Sequence, residues 1–213
     1  MQQFGVDEAG KGPVLGPMIA ACVVAPPARI PDTIDDSKKL SPDRRETLAQ
    51  QLHSDPDVDV SVARVSPDRI DDPATDMNTL TVDAHAEALA QIVSEGLSGV
   101  VDGADTDADR FARRVKQRVD ASIEIRAEHG ADEMYPLVGA ASVIAKVERD
   151  AAVDALCEKY GDVGSGYPSD PTTRAFLADY VREHGHLPTC ARASWKTSRD
   201  VLARAEQSAL DSF

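Results

Sequence analysis

The chain has 213 residues, enough for one domain or slightly more, and its three scattered cysteines exclude a disulfide framework or a zinc ribbon. No apolar run approaches the roughly 20 residues of a membrane span, and the N-terminus lacks a basic leader region, so we expect a soluble, cytoplasmic protein. The 37 acidic residues against 23 lysines and arginines give a net charge of −14, while 42% hydrophobic residues with clear periodicity exclude a disordered acidic chain.

The excess negative charge predicts a halophilic surface, adapted to molar salt. Asp outnumbers Glu, and Arg outnumbers Lys, by more than two to one. A carboxylate-coated surface keeps a folded protein in solution where the Debye length falls to about 3 Å. An acidic total ordinarily argues against nucleic-acid binding, but high salt weakens that argument. The charge therefore leaves the class of partner undecided.

The apolar pattern predicts an α/β fold. The predicted strands are residues 2–8, Met18–Ala25, Val58–Val65, Val100–Asp102 and Ile123–Ala127. The predicted helices are residues 41–52, Leu80–Glu95, Asp107–Val119, Val138–Lys159, Thr172–His184 and Ser194–Ala209. An initial strand pair followed by alternation of helices and strands is typical of a mixed sheet with helices on its faces. We expect residues 1–190 to form the main domain and residues 191–213 a helical extension packed on it.

Acidic residues stand at the ends of three predicted strands. Asp7 and Glu8 lie near the end of the first strand, Asp102 ends the fourth, and Asp132 follows the fifth. Functional side chains of open α/β sheets gather at such ends. Converging carboxylates repel one another unless cations neutralise them, and oxygen ligands suit Mg²⁺ or Mn²⁺. A pair of such ions can clamp the attacking and leaving oxygens of a phosphodiester.

Two considerations oppose a metal site. Acidic residues at strand ends are ordinary in a chain with this many carboxylates. Asp7 and Glu8 are also neighbours on a strand, so their side chains point to opposite faces unless the strand twists or ends there.

Two loops have residues suited to phosphate or sugar. Gly10-Lys11-Gly12, hereafter the glycine loop, offers backbone N–H groups and one cation, with a tight hairpin as the alternative. Asp36-Ser37-Lys38-Lys39 precedes a helix start, where phosphate binding and a plain surface loop are equally compatible with the sequence.

Polar residues also mark the long helix and a later turn. Ser142, Lys146 and Arg149 form one stripe, which either follows a phosphate backbone or is a solvated face. Tyr167 lies in a glycine-rich turn with little core to join, so stacking on a base or sugar would explain it. Trp195 is expected to pack the last helix onto the rest of the protein.

Together these segments resemble the ribonuclease HII family. The similarity spans about residues 4–200, nearly the whole chain. It consists of five blocks in the family's order: Gly5–Pro17, Asp36–Ser41, Val101–Asp105, Ala140–Asp150 and Gly164–Asp170. Five ordered blocks are far more specific than any single one.

The resemblance implies a ribonuclease H-like fold, a five-stranded mixed sheet flanked by helices with a C-terminal helical extension. It implies a metal-dependent endonuclease that hydrolyses the RNA strand of RNA–DNA hybrids and cuts at ribonucleotides embedded in duplex DNA. The products would carry 3′-hydroxyl and 5′-phosphate ends, and the cofactor would be Mg²⁺ or Mn²⁺, with two ions per site when substrate is bound. Such an enzyme would act in DNA replication and repair as a monomer, with a sliding clamp as a partner weakly indicated by residues 208–213.

The resemblance also implies roles for individual residues. Asp7, Glu8, Asp102 and Asp132 match the family's four acidic residues, although Glu133 stands beside Asp132.

The remaining matches concern the substrate. The glycine loop (Gly10, Lys11, Gly12) matches the segment that senses the ribose 2′-hydroxyl, with lysine where many relatives have arginine, which puts a bidentate contact in doubt. Tyr167 matches the tyrosine that stacks at the ribonucleotide–deoxyribonucleotide junction, and Lys38 and Lys146 match phosphate contacts.

Two rival functions remain open on the same sheet. A hybrid-binding module without activity is disfavoured because a binder gains nothing from four carboxylates beside phosphate. A nuclease acting on DNA junctions is disfavoured by the glycine loop and Tyr167, which favour a reader of ribose.

Overall fold

The computed structural model describes residues 1–31, 33–34 and 40–210, and this part of the chain contains five strands and seven helices. The strands are β1 (Gln3–Ala9), β2 (Met18–Ala25), β3 (Asp59–Val65), β4 (Ser98–Asp102) and β5 (Glu124–Glu128). The helices are α1 (Pro42–Ser54), α2 (Pro67–Ile70), α3 (Met77–Ile92), α4 (Ala108–Lys116), α5 (Pro136–Tyr160), α6 (Pro171–His184) and α7 (Lys196–Leu210).

The strands form one mixed sheet in the order β3-β2-β1-β4-β5, which confirms the predicted fold class. β1 is antiparallel to β2 and parallel to β4, and β4 is parallel to β5. Every residue of β2 is buried, as its uninterrupted apolar sequence predicts. Because β1, β4 and β5 run in the same direction, their carboxyl ends lie at one edge of the sheet.

Four helices begin at a capping side chain that accepts a hydrogen bond from a backbone N–H of the first turn. The caps are Ser41 for α1, Ser66 for α2, Asp107 for α4 and Asp170 for α6. The first of these confirms the start predicted from Ser41-Pro42. The helix α2 was not predicted, because four residues are too few to show a helical apolar period.

The chain divides into two compact units. The first comprises Met1–Ala9, Met18–Arg64 and Met77–Arg149, and contains most of the sheet. Its main core lies between one face of β2 and the helices α1 and α5, with Ile19, Ala21, Leu48, Leu52 and Ile144 among its buried side chains. β1 reaches the start of α5 at Gly5, where a Cβ atom would lie 2.3 Å from the carbonyl carbon of Leu137.

The second unit comprises Gly10–Pro17, Val65–Asp76 and Asp150–Phe213. Its core joins chain segments that are far apart in sequence, with Val14, Leu15, Val163, Leu177 and Ala191 buried together. The domain boundary near residue 190 stays a prediction. Across the described residues, we find no helix with both the length and the apolar character that crossing a membrane requires.

Candidate active site

Asp7 is a buried carboxylate near the end of β1, and its side chain turns toward α5. The Ser142 hydroxyl donates a hydrogen bond to it and itself accepts one from Lys146 Nζ. Burial raises the pKa of Asp7 well above its usual range, and the negative charges of Glu8 and Asp102 raise it further. The hydrogen bond from Ser142 and the charge of Lys146 lower the pKa and offset part of this effect. The positive charge near Asp7 is therefore too small to offset the effects of burial and of the neighbouring carboxylates on its pKa.

Glu8 turns to the other face of β1, as the alternation of strand side chains requires. Its Oε2 atom lies 2.8 Å from Nε2 of His85, a fully buried side chain of α3. Neighbouring carboxylates of one strand are thus held by helices on opposite faces of the sheet. Their charges nevertheless interact, since Glu8 raises the pKa values of both Asp7 and Asp102.

Asp102 and Asp132 follow the adjacent parallel strands. Asp102 is the last residue of β4, and its Oδ1 accepts a 2.7 Å hydrogen bond from the backbone N–H of Ala131. That N–H belongs to the turn Ala131–Glu133, which also holds the buried Asp132. Burial raises the pKa of Asp102, and the charges of Glu8 and Asp132 act in the same direction. Asp132 is buried and the adjacent Glu133 is exposed, which favours Asp132 as the member of the site.

The chemistry of the four predicted carboxylates (Asp7, Glu8, Asp102 and Asp132) fits hard divalent cations. They supply only oxygen ligands, and their mutual repulsion appears in the raised pKa values of Asp7 and Asp102. Within the described residues, no three His, Cys, Asp or Glu side chains are gathered closely enough to hold a metal ion. Three of these carboxyl groups instead have separate protein partners, on α5, on α3 and in the turn after β5.

The predicted polar stripe of α5 is not a solvated face. Ser142 and Arg149 are buried, and Lys146 is partly buried with its ammonium group on the Ser142 hydroxyl. The stripe therefore includes Ser142, which contacts Asp7, and Lys146, whose charge lowers the pKa of Asp7. Whether Ser142 and Lys146 also contact a phosphate stays a prediction.

The carbonyl oxygens of the glycine loop are held by two side chains of the second unit. The buried Arg192 guanidinium donates to the carbonyl oxygens of Gly10 (2.6 Å), Lys11 (3.0 Å) and Gly16 (3.0 Å). The Trp195 indole donates to the carbonyl oxygen of Gly12 at 3.1 Å, and the guanidinium lies over the indole ring. Gly10 has a φ of 84°, a conformation that glycine adopts without steric cost. The loop backbone is thus fixed in one conformation.

Tyr167 lies beside this loop and is 47% exposed. Its Cε1 atom is 3.7 Å from where a Cβ on Gly12 would be. The preceding Gly166 accepts hydrogen bonds from the backbone N–H groups of Val14 and Leu15. The structure therefore brings the glycine loop and Tyr167 together, whereas Lys38 lies outside the described residues.

Sequence reasoning missed two buried residues, His85, which contacts Glu8, and Arg192, which holds the glycine loop. His85 gave no signal because no metal-binding histidine spacing surrounds it, and a histidine among apolar helical residues is ordinary. Arg192 was not singled out at all. No sequence signal marks it as buried, since arginine is almost never fully buried without partners and its partners lie in a distant segment.

Comparisons with known proteins show the family of the chain. The family model described as ribonuclease HII matches residues 4–198. A ribonuclease HII of Halobacterium salinarum is 61% identical over 214 residues, covering 100% of both chains. The crystal structure of ribonuclease H2 from Pyrococcus horikoshii has a TM-score of 0.91 and 39% identity, over 97% of this chain and 100% of that one.

A further similar structure is that of a ribonuclease HII from Archaeoglobus fulgidus, solved in complex with PCNA. It has a TM-score of 0.84 and 40% identity, over 92% of this chain and 96% of that one. The family match and the identities extend across almost the whole chain. The chain therefore belongs to the ribonuclease HII family, whose members are endoribonucleases that cleave the RNA of RNA–DNA hybrids.

Proposed function

We propose that this chain is a metal-dependent endonuclease that also cuts DNA duplexes at single embedded ribonucleotides, leaving 3′-hydroxyl and 5′-phosphate ends. The observation that carries the proposal is the placement of Asp7, Glu8 and Asp102 at the carboxyl ends of adjacent parallel strands, where their charges raise the pKa values of Asp7 and Asp102. A protein that only binds nucleic acid has no use for buried, mutually repelling carboxylates.

The four carboxylates would hold Mg²⁺ or Mn²⁺, two ions when substrate is bound. Such ions supply an activated water and stabilise charge on the leaving oxygen during in-line displacement. Asp7 would be a ligand of both ions, because it is buried and the charges of Glu8 and Asp102 raise its pKa. Ser142 and Lys146 orient its carboxyl group from α5.

Recognition of ribose is assigned to the glycine loop and Tyr167. The 2′-hydroxyl is the group that distinguishes RNA from DNA. Because Arg192 and Trp195 engage the loop carbonyl oxygens, the loop would approach the sugar with its backbone N–H groups and Lys11. The exposed ring of Tyr167, next to Gly12, would stack at the junction between ribonucleotide and deoxyribonucleotide.

Other contacts and partners complete the proposal. Lys38 and Lys146 would contact substrate phosphates, whereas the one hydroxyl proton of Ser142 is already donated to Asp7. The attacking group would be water, because attack by the 2′-hydroxyl would leave a cyclic phosphate in place of the proposed 3′-hydroxyl and 5′-phosphate ends. We further propose that the enzyme works in the cytoplasm in DNA replication and repair, as a monomer that can bind a sliding clamp. The clamp is supported by the similar Archaeoglobus fulgidus structure, which was solved with PCNA.

Asp7→Asn tests the metal site, with cleavage and binding of an RNA–DNA hybrid measured side by side in Mg²⁺ or Mn²⁺. Groups that merely orient a metal ligand cost 10–100-fold when removed, so losing a bridging ligand should lower cleavage by more than about 100-fold. Hybrid binding should be kept or improved, since one negative charge near phosphate is removed. Asp109→Asn makes the same change at an exposed position of α4 and should leave cleavage unchanged. Near-normal cleavage by Asp7→Asn would remove Asp7 from the site.

A further inference from the structure

His85 is a buried histidine on α3 whose ring faces one of the four carboxylates. Its side chain has no exposed surface, and Nε2 lies 2.8 Å from Oε2 of Glu8, whose own side chain is 11% exposed. The two residues are 77 positions apart in sequence. The contact therefore depends on how α3 packs against β1, which brings the imidazole beside the carboxylate.

The rest of the imidazole ring lies in apolar surroundings. Its plane meets the Phe111 ring edge-on, with the ring centroids 5.1 Å apart at 86°. Nδ1 is buried and has no hydrogen-bond partner among the described residues. A histidine buried for its own stability would be expected to satisfy both ring nitrogens. Within the described part of the chain, the hydrogen bond of the ring is the one with Glu8.

We propose that His85 is a positioning residue for Glu8. With the proton on Nε2, the ring donates to Oε2 of Glu8, while Nδ1 needs no acceptor in its apolar surroundings. A Glu side chain has three torsions, and metal binding must order them at a cost in free energy. A hydrogen bond that already orders the side chain before the metal binds reduces this cost. His85 thus fixes one oxygen of the carboxylate and leaves the other for the cation, an inference that rests on the proposed metal site.

The test measures Mn²⁺ affinity without nucleic acid, from the electron paramagnetic resonance signal of free Mn²⁺. His85→Gln keeps an N–H donor, and His85→Met has a similar length without one. We expect His85→Met to weaken Mn²⁺ binding by about 10-fold, the lower end of the range for groups that orient a ligand. His85→Gln should recover most of this loss. Thr81→Val, which removes a buried hydroxyl one turn earlier on α3, should bind Mn²⁺ as the wild type does.

The variants separate positioning from packing. Equal Mn²⁺ affinity in His85→Gln and His85→Met, whether normal or reduced, would overturn the role of His85, because the donor would then make no difference. If His85→Met does not unfold cooperatively, His85→Phe keeps a ring against Phe111 without the donor and takes its place. A wild-type protein that binds no Mn²⁺ would contradict the proposed function itself, and this inference with it.

Discussion

At the scale of single residues, the site is organised by partners that lie far away in sequence. Asp7 is held from α5 by Ser142, and Glu8 is held from α3 by His85, although the two carboxylates are neighbours on β1. Each of the two carboxyl groups therefore has its own hydrogen-bond partner on a different helix. This arrangement lets two adjacent strand residues, which point to opposite faces, belong to one electrostatically coupled set.

Arg192 is the residue whose replacement should most loosen the glycine loop. Arg192→Lys keeps the charge but cannot reach three carbonyl oxygens with one ammonium group. Unpaired buried polar groups cost about 1–3 kcal/mol each, so we expect a loss of at least that size in the free energy of unfolding, measured with urea.

The control for this prediction is Arg182→Lys. The Arg182 side chain is exposed and pairs with Asp179 on α6, a type of contact worth about 0–1 kcal/mol. If the two variants unfold at the same urea concentration, the three hydrogen bonds of Arg192 do not hold the loop.

The position of the acidic residues at strand ends could be predicted from the sequence, but the residues that they contact could not. Asp7, Glu8, Asp102 and Asp132 could be singled out because they stand at or just after the ends of apolar strands. The contact between Arg192 and Gly10 joins positions 182 apart, and no local pattern encodes such a pair. The sequence likewise left open whether Ser142 is solvated. Its burial against Asp7 depends on how α5 packs on the sheet.

At the scale of secondary structure, Asp170 links the turn of Tyr167 to the helix α6. One oxygen accepts from the backbone N–H and hydroxyl of Ser165, and the other caps α6 at Thr172. Hydrogen bonds from Ser165, the backbone N–H first, lower the pKa of Asp170 from 3.8 to about 2. The ionised form is therefore favoured by folding. Its stabilising effect is complete above pH 3.8 and is lost as the pH falls through about 2.

Asp170→Asn should accordingly lower the Tm at neutral pH, because an amide cannot accept all of these hydrogen bonds. The difference from wild type should narrow as the pH falls from 3.8 toward 2, where the wild-type carboxyl group becomes protonated. Thermal unfolding across this pH range, with Asp179→Asn as an exposed control on the same helix, checks the prediction. A Tm difference that is independent of pH would show that the charge of Asp170 plays no part.

Elements were predicted well where the apolar pattern is strong. β2 and α5 appear almost where expected, since one is apolar throughout and the other has a long helical period. α3 begins at Met77, three residues before the predicted Leu80, because polar residues are tolerated in a first turn. It also ends at Ile92, before the predicted stop at Gly96, whose N–H instead bonds to the carbonyl oxygen of Ser122.

At the scale of the whole molecule, the charge of −14 should change which contacts bind the substrate. Affinity from phosphate contacts falls steeply with salt, whereas stacking on an aromatic ring depends on it much less. We therefore expect Tyr167→Ala to weaken hybrid binding more than Lys146→Ala in molar KCl. At low KCl, the loss for Lys146→Ala should be larger than it is in molar salt.

Fluorescence anisotropy with a labelled RNA–DNA hybrid measures both variants at the two salt concentrations. Stacking is worth about 1–3 kcal/mol per base, so the Tyr167→Ala loss should be at least about 5-fold at either salt. A larger loss for Lys146→Ala in molar KCl would contradict a binding mode based on stacking.

We propose that the carboxylates at the ends of β1 and β4 and in the turn after β5 hold the ions with which the enzyme hydrolyses a phosphodiester at a ribonucleotide. The most direct measurement is cleavage of a DNA duplex carrying one ribonucleotide, in molar KCl with Mn²⁺, followed by analysis of the product ends. We expect a single cut that leaves a 3′-hydroxyl and a 5′-phosphate, and we expect no cut when EDTA is added. A cyclic phosphate product, cleavage that persists in EDTA, or no cut in this duplex would contradict it.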